Sequence, residues 1–319
     1  MYTDDTISEI VSSWNLKYRK SRSDLGIAGS PERTQYRAVV EDADHGLWVL
    51  EAIFPDSVEH KGLIAKTLTY LRGAGIGTVH PYLTDRDNRT VVGHENAYWQ
   101  IRPFVDGTPL PRPSYVRDVW RGKACADFLL NLRDRARDIP FFTQEEPFSM
   151  IRFIDEMSDT MERYNPERQK GLGQVFDFIE QEFVGVHDAF PVAFCHGDFH
   201  PLNVIWSEDN IKSVIDWEFL GIKPEVYDVA TLIGCVGFED PAGLTKGFVT
   251  ELISQMRKAD VLSDLSWAYL AEWVVAIRFA WLSDWLRRRD REMVDLEVAY
   301  LNLLVDRCNA LKAAWRQRG

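Results

Sequence analysis

Residues 195–220 read CHGDFHPLNVIWSEDNIKSVIDWEFL and concentrate groups able to do chemistry. An apolar run ends at a polar loop that holds Asp198 and, five residues on, Asn203. A turn at Ser207 to Asn210 leads to a second apolar run ending in Asp216. Two strands joined as a hairpin, with polar residues at corresponding ends, would bring Asp198, Asn203 and Asp216 close together. One carboxylate can then take or orient a hydroxyl proton, while an amide and a second carboxylate offer the oxygen ligands that Mg2+ prefers. Phosphoryl transfer needs that division of labour, because its catalysis is mostly positioning and charge neutralisation. His196 and His200 have the four-residue spacing of a zinc-binding helix, but Gly197 and Pro201 oppose a helix there and no third ligand stands out. A solvated acidic loop without function would leave the ordered trio unexplained.

The elements that must position these residues are legible in outline. An opening helix is expected over 5–14, with Ile7, Ile10, Val11 and Trp14 on one face and Thr3 or Asp4 as its cap. Runs 34–41 and 46–54 read as strands joined by the hairpin-turn composition of Asp42 to Gly46. Residues 57–72 carry apolar side chains at helical spacing, and Gly73 and Gly75 stop that helix. Residues 79–83, 90–93 and 97–105 read as further strands. Pro103, Gly107, Pro109, Pro111 and Pro113 then punctuate the chain, and the pattern beyond them is mostly helical, ending in two long helices over 265–288 and 291–315. The expected architecture is α+β and bilobal: a small sheet-rich N-lobe over 1–104 and a larger, mostly helical C-lobe over 105–319.

Composition bounds the partners. A chain of 319 residues suits two domains or one large bilobal one. The formal charge of −12 argues against a nucleic-acid partner and would suit a cationic small substrate, though surface solubility explains it equally well. Four scattered cysteines, Cys125, Cys195, Cys235 and Cys308, form no metal or disulfide pattern and fit a reducing compartment. The start of the chain is acidic where a signal peptide would be basic, and no run reaches the ~20 apolar residues of a membrane span. A cytoplasmic protein without a membrane partner, monomeric or homodimeric, is expected.

HGDFHPLNV followed by VIDWE resembles the catalytic loop and metal-binding segment of the aminoglycoside phosphotransferase and choline kinase superfamily, distant relatives of protein kinases. The resemblance implies a protein-kinase-like fold that moves the γ-phosphoryl group of ATP, or GTP, to a hydroxyl of a small, amine-bearing acceptor with Mg2+. It makes Asp198 the catalytic aspartate, Asn203 and Asp216 the metal ligands and His196 a brace for the loop. Asp228, in YDVATL, matches the family's structural aspartate. Adenine would meet backbone groups from Arg102 to Val105, Pro103 among them. RFAWLSDWL and ISEIVSSWNL carry a weaker similarity to the homoserine kinase branch.

The pattern also departs from the family. Its third N-lobe strand normally carries a lysine that contacts phosphates and pairs with a helix glutamate. Here that position is Glu51, and the following helix offers Lys61 and Lys66 where an acid is expected. Candidate phosphate partners are therefore Lys61, Lys66, Arg33 and Arg37, Lys66 being favoured, with Gly26, Gly29 and Ser30 either a phosphate-covering turn or a surface turn. The loss of the lysine also opens an alternative: a pseudokinase-like nucleotide- or metabolite-binding protein without transfer. For the acceptor, Asp284, Glu272 and the Glu239–Asp240 pair could hold an amino group, and Glu218 is a further substrate-binding candidate. The stripe Trp273, Ile277, Trp281 reads as core or as an aromatic box for a cation.

Overall fold

A computed structural model describes residues 2–29, 31–142, 146–164 and 166–316. In chain order its elements are α1 (Asp4–Ser12), β1 (Tyr18–Ser21), β2 (Tyr36–Asp42), β3 (Leu47–Ile53), α2 (Val58–Gly73), β4 (Val92–His94) and β5 (Ala97–Pro103). These are followed by α3 (Val119–Arg135), α4 (Met150–Tyr164), α5 (Pro166–Lys170), α6 (Gly173–Glu182), β6 (Val192–Cys195), β7 (Val204–Trp206), β8 (Ile211–Val214) and β9 (Gly221–Pro224). The chain closes with α7 (Tyr227–Glu239), α8 (Gly247–Lys258), α9 (Asp264–Ala268), α10 (Leu270–Arg288) and α11 (Arg291–Arg316). Two compact units emerge. The first gathers the described residues of Met1–Pro109, Asp138–Phe141 and Leu202–Phe219, and the second those of Leu110–Arg137, Phe142–Pro201 and Leu220–Gly319.

The first unit is built on an antiparallel sheet in the order β1-β2-β3-β5-β4. Its β2–β3 hairpin is fixed by Asp42, whose Oδ1 accepts the N–H groups of Asp44 at 2.9 Å and Gly46 at 2.8 Å. Gly46 is required there, since a Cβ would lie 2.7 Å from Asp42 Oδ2. Ile7, Ile10, Val11 and Trp14 of α1 bury one sheet face together with Val40, Leu50, Ala52, Trp99 and Ile101. Strand alternation puts these on the face opposite Arg37 and Glu51. Thr3 caps α1 through its hydroxyl, as the cap pattern predicts. The helix after β3 stops at Gly73, and Gly75 takes the left-handed conformation at φ 99°.

Two expectations are corrected and one strand is added. Residues 79–83 form no strand, although Leu83 N–H reaches the Ile101 carbonyl at 2.9 Å. β1 follows the opening helix with no alternation to announce it, because only the ends of its four residues are partly buried. The run 265–288 is two helices, α9 and α10, broken at Tyr269.

The second unit is mostly helical. α10 and α11 pack as an antiparallel pair, α7 lies against α10, and α3 packs on α8. Gly122 lets α3 approach α8 closely, since a Cβ would fall 2.2 Å from the Phe248 carbonyl oxygen. Among the described residues no helix is long and apolar enough to cross a membrane.

Candidate functional site

In the second unit, β6 delivers the chain into the loop that carries Asp198. β6 pairs with β9, and α7 follows at once, so Asp228 in its first turn lies under the start of the loop. The Asp228 carboxylate accepts the backbone N–H groups of His196 at 2.7 Å and Gly197 at 2.9 Å. His196 is fully buried, and its Nδ1 accepts the Asp198 N–H at 3.2 Å. Gly197 bends the chain at φ 84°, a conformation that costs a residue without Cβ little. Phe199 is locked by stacking on Phe128 of α3, with ring centroids 4.9 Å apart. The main chain that presents Asp198 is therefore held on both sides. The Asp198 carboxylate lies 3.7 Å from His200 Nε2, and the His200 ring rests against Trp281. Burial pushes the Asp228 carboxyl above its usual range, with His196 and the two backbone bonds opposing. Asp228 and His196 thus bond three successive backbone N–H groups of the loop, and neither His196 nor His200 sits on a helix.

Asn203 and Asp216 belong to the first unit, at the mouth of the β7–β8 hairpin. Ile215 N–H donates to the Asn203 carbonyl at 2.9 Å, so the hairpin sets Asn203 opposite the residue before Asp216. Asp216 has left-handed backbone at φ 63°, a strained state for a residue with Cβ. Arg33 Nη1 donates to its Oδ1 at 2.6 Å, and the same guanidinium lies 4.6 Å over the Phe219 ring. Asp216 thus already draws a cation. An amide and a carboxylate offer hard oxygen donors, so this pair fits a magnesium ion. Among the described residues no three His, Cys, Asp or Glu side chains converge as a metal cluster.

The first unit also encloses a recess of about 50 Å³ lined by Arg33, Arg37, Glu51, Lys61, Arg102 and Asp216, with Glu218, Tyr82 and His80 beside them. That is far below the ~300 Å³ of a pocket that encloses a whole small molecule, so it can seat a small group only. Glu51 faces this recess. Its β2 partner in register is Arg37, whose Nε lies 3.0 Å from Glu51 Oε1, with Arg102 Nε 4.0 Å from Oε2. Lys61, buried on α2, pairs with Glu218. Lys66 is exposed on α2 and does not line the recess; helical rotation turns Lys61 inward instead. Ser30 lies outside the described residues. Pro103 ends β5 opposite Trp48, and Val105 follows in the connection beyond it.

The expected acceptor residues are already engaged. Glu239 pairs with Arg112 at 2.9 Å, and Asp284 with Arg287 at 2.6 Å and Arg288 at 2.8 Å. Asp240 caps the turn after α7 by accepting the Ala242 N–H. Glu218 carries Lys61. Trp273 and Ile277 are core, whereas Trp281 is half-buried with the Arg278 guanidinium 4.5 Å over its ring. None of these lines the larger groove of the second unit, about 770 Å³, where Met157, Met161 and Leu286 lie beside Arg168, Arg289 and Arg291.

Sequence reading missed the pairs Arg37–Glu51, Lys61–Glu218 and Arg278–Glu297. Counting outward from the Asp42–Gly46 turn would have found the first, because register sets those two residues opposite each other. The other two join residues far apart in the chain and leave no local signal.

Residues 33–295, more than four-fifths of the chain, match the Phosphotransferase enzyme family, and the chain belongs to that family. It is a small-molecule kinase, transferring phosphate to a hydroxyl group. An amicoumacin kinase in complex with AMP-PNP, Ca2+ and Ami superposes with a TM-score of 0.69 at 12% identity, covering 96% of this chain and 94% of that one. An aminoglycoside phosphotransferase from Alicyclobacillus acidocaldarius gives 0.64 at 14%, covering 97% and 94%. The GDP complex of an aminoglycoside 2'-phosphotransferase gives 0.66 at 15%, covering 95% and 97%. At such identities the likeness establishes a shared kinase-like fold. No curated protein matches by sequence.

Proposed function

We propose that the protein moves the γ-phosphoryl group of ATP or GTP to a hydroxyl of a small, amine-bearing molecule, with Mg2+ held by Asn203 and Asp216. Asp198 takes the hydroxyl proton as the acceptor oxygen bonds to the γ-phosphorus. The bond from that phosphorus to the β,γ-bridging oxygen breaks, and the nucleoside diphosphate leaves. The metal ion, when bound, supplies neutralisation of the phosphate charge. The observation that carries the reading is the braced loop: Asp228 fixes the N–H groups of residues 196 and 197, and His196 fixes that of Asp198. A base held this way keeps its geometry between turnovers.

The nucleotide is supported by the AMP-PNP and GDP named with two structural neighbours, and the base would rest on backbone groups from Pro103 to Val105. Arg33 and the recess behind it receive the phosphates. The antibiotics named with other neighbours, spectinomycin and kanamycin, support a hydroxyl-rich amine as acceptor. Trp281, near His200, would form one wall for it. Glu239 and Asp284 reach an acceptor ammonium only by exchanging it for their arginine partners. Glu51, standing where the missing lysine prompted the binding-only alternative, is neutralised by Arg37 and does not bar nucleotide.

Thermal shift with ATP and GTP, with and without Mg2+, tests nucleotide binding; diphosphate release over a panel of amino alcohols and aminoglycosides tests transfer. Asp198→Asn is expected to lower turnover by about 10²- to 10⁴-fold, the range of general-base catalysis, at nearly unchanged nucleotide affinity. Asp216→Ala should instead remove the Mg2+ dependence of binding. Equal loss of nucleotide binding in both variants would refute the assignment of roles.

A further inference from the structure

We propose that Glu51 is a positioning residue for the nucleotide's phosphates, acting through Arg37 on the turn at Ala28 and Gly29. This rests on the nucleotide-dependent reading above and assigns a role to the acid standing where a lysine was expected. A bare carboxylate facing triphosphate would repel it by a few kcal/mol at short range and moderate dielectric. Glu51 is not bare. It is 5% exposed, ion-paired to Arg37 at 3.0 Å, and accepts the Tyr82 O–H at 3.4 Å. Burial pushes the Tyr82 phenol up, so it stays a neutral donor.

Arg37 spends only one edge of its guanidinium on Glu51. Nη2 donates to the Ala28 carbonyl at 2.6 Å and Nη1 to the Gly29 carbonyl at 3.2 Å. A planar fork can serve a carboxylate and two carbonyls together, which an ammonium cannot do with the same fixed geometry. In a trans peptide the N–H points opposite to the C=O. Tying back the Ala28 carbonyl therefore fixes the Ala28–Gly29 peptide plane, with the Gly29 N–H turned from the guanidinium. Ala28 and Gly29 line the same recess as Arg37, so fixing this turn fixes one wall of the site proposed for the phosphates. Gly29 itself stands at φ 92°, where a side chain would be strained, and a Cβ would lie 3.4 Å from Arg37 Nη2.

Charge agrees with this. The described lining residues set four cations, Arg33, Arg37, Lys61 and Arg102, against three carboxylates, Glu51, Asp216 and Glu218. Burial holds His80 below its ordinary value, so it adds no charge at neutral pH. In a chain of formal charge −12 this recess is a local positive centre that suits a phosphate tail.

The decisive variant is Glu51→Lys, compared with Glu51→Gln and Arg37→Lys in the full chain. If the acid is a scar of lost chemistry, lysine should restore or improve nucleotide binding. The positioning role predicts the reverse: at least a tenfold loss of affinity for Mg2+–nucleotide by titration calorimetry. In steady state the nucleotide KM should rise while the acceptor KM stays. Hydrogen exchange of the amides in residues 26–35 should quicken in Glu51→Gln before any nucleotide is added, a readout that stands even if Glu51→Lys fails to fold. Parent-like or tighter binding by Glu51→Lys overturns the inference, as does parent-like exchange and affinity in Glu51→Gln. A parent that binds neither ATP nor GTP with Mg2+ overturns the nucleotide reading first, and this inference with it.

Discussion

Asp228 is 4% exposed, and its carboxylate is tolerated there because two backbone N–H groups meet it. Asp228→Ala leaves both donors buried and unpaired, at roughly 1–3 kcal/mol each. Chemical denaturation should show that loss, and turnover should fall with it because the loop no longer presents Asp198 in one geometry. The pH dependence has a definite sign. Burial lifts the folded pKa above the ordinary value of 3.8, so the folded state holds more protons between the two. The stability this group contributes is complete below that ordinary value and is lost as pH rises through the folded pKa. Asp228→Asn removes the slope. The stability of the parent relative to this variant should therefore decline from pH 4 upward, and urea unfolding across that range reads it directly. At this scale the sequence was most legible where the chain folds back on itself locally, as in the β7–β8 hairpin that sets Asn203 opposite the residue before Asp216. Arg33 on Asp216 spans 183 positions and Lys61 on Glu218 spans 157, distances over which residue type predicts no partner.

Between elements, α10 and α11 meet through a buried ion pair. Arg278 Nε and Nη2 each reach the Glu297 carboxylate at 2.7 Å, with both side chains at most 1% exposed. The guanidinium also stacks on Trp281, Phe238 and Tyr300, so the pair sets the face of α10 that carries the proposed acceptor wall. Glu297→Ala strands a buried cation and should cost about 3–5 kcal/mol, read as a lowered denaturant midpoint at constant slope. Arg278→Met with Glu297→Leu should recover most of it, since apolar replacement of a buried pair is often neutral. An acceptor KM that worsens in the recovered double variant would show that Trp281 needs its arginine. The two closing helices were legible because their apolar periodicity is long. The break at Tyr269 was not, since α9 and α10 continue one apolar rhythm across it. Residues 79–83 read as a strand from composition, yet no neighbouring strand pairs with them in ladder fashion. Pairing is a tertiary property that five residues cannot encode.

For the whole molecule, the order of segments matters more than their lengths. The first unit is not a contiguous stretch of chain: Leu202–Phe219 returns to it after most of the helices have been laid down. That return is structural. Val214 N–H bonds the Thr78 carbonyl at 3.0 Å, Thr108 N–H bonds that of Trp206 at 2.8 Å, and Lys212 Nζ reaches that of Asp106 at 3.0 Å. Lys61 is buried with Glu218 as its partner, and Asp216 receives Arg33. A fragment ending at Pro109 would keep the five strands of the main sheet and α1, but it would lose the packing of the buried hairpin residues Val204, Trp206 and Val214 and strand Lys61 without its carboxylate. Unpairing a buried charge while uncovering apolar surface is among the few changes that exceed the stability of a small domain. Residues 1–109 alone are therefore expected to give poorly dispersed amide NMR spectra and rapid proteolysis, and to bind no nucleotide. The same stretch joined through a short Gly-Ser linker to residues 202–219 should recover dispersion, because the linker restores the hydrogen bonds without requiring the helices. If the shorter fragment folds as well as the joined one, the hairpin is an ornament on an independent sheet, and the recess would have to be defined without Asp216 and Glu218.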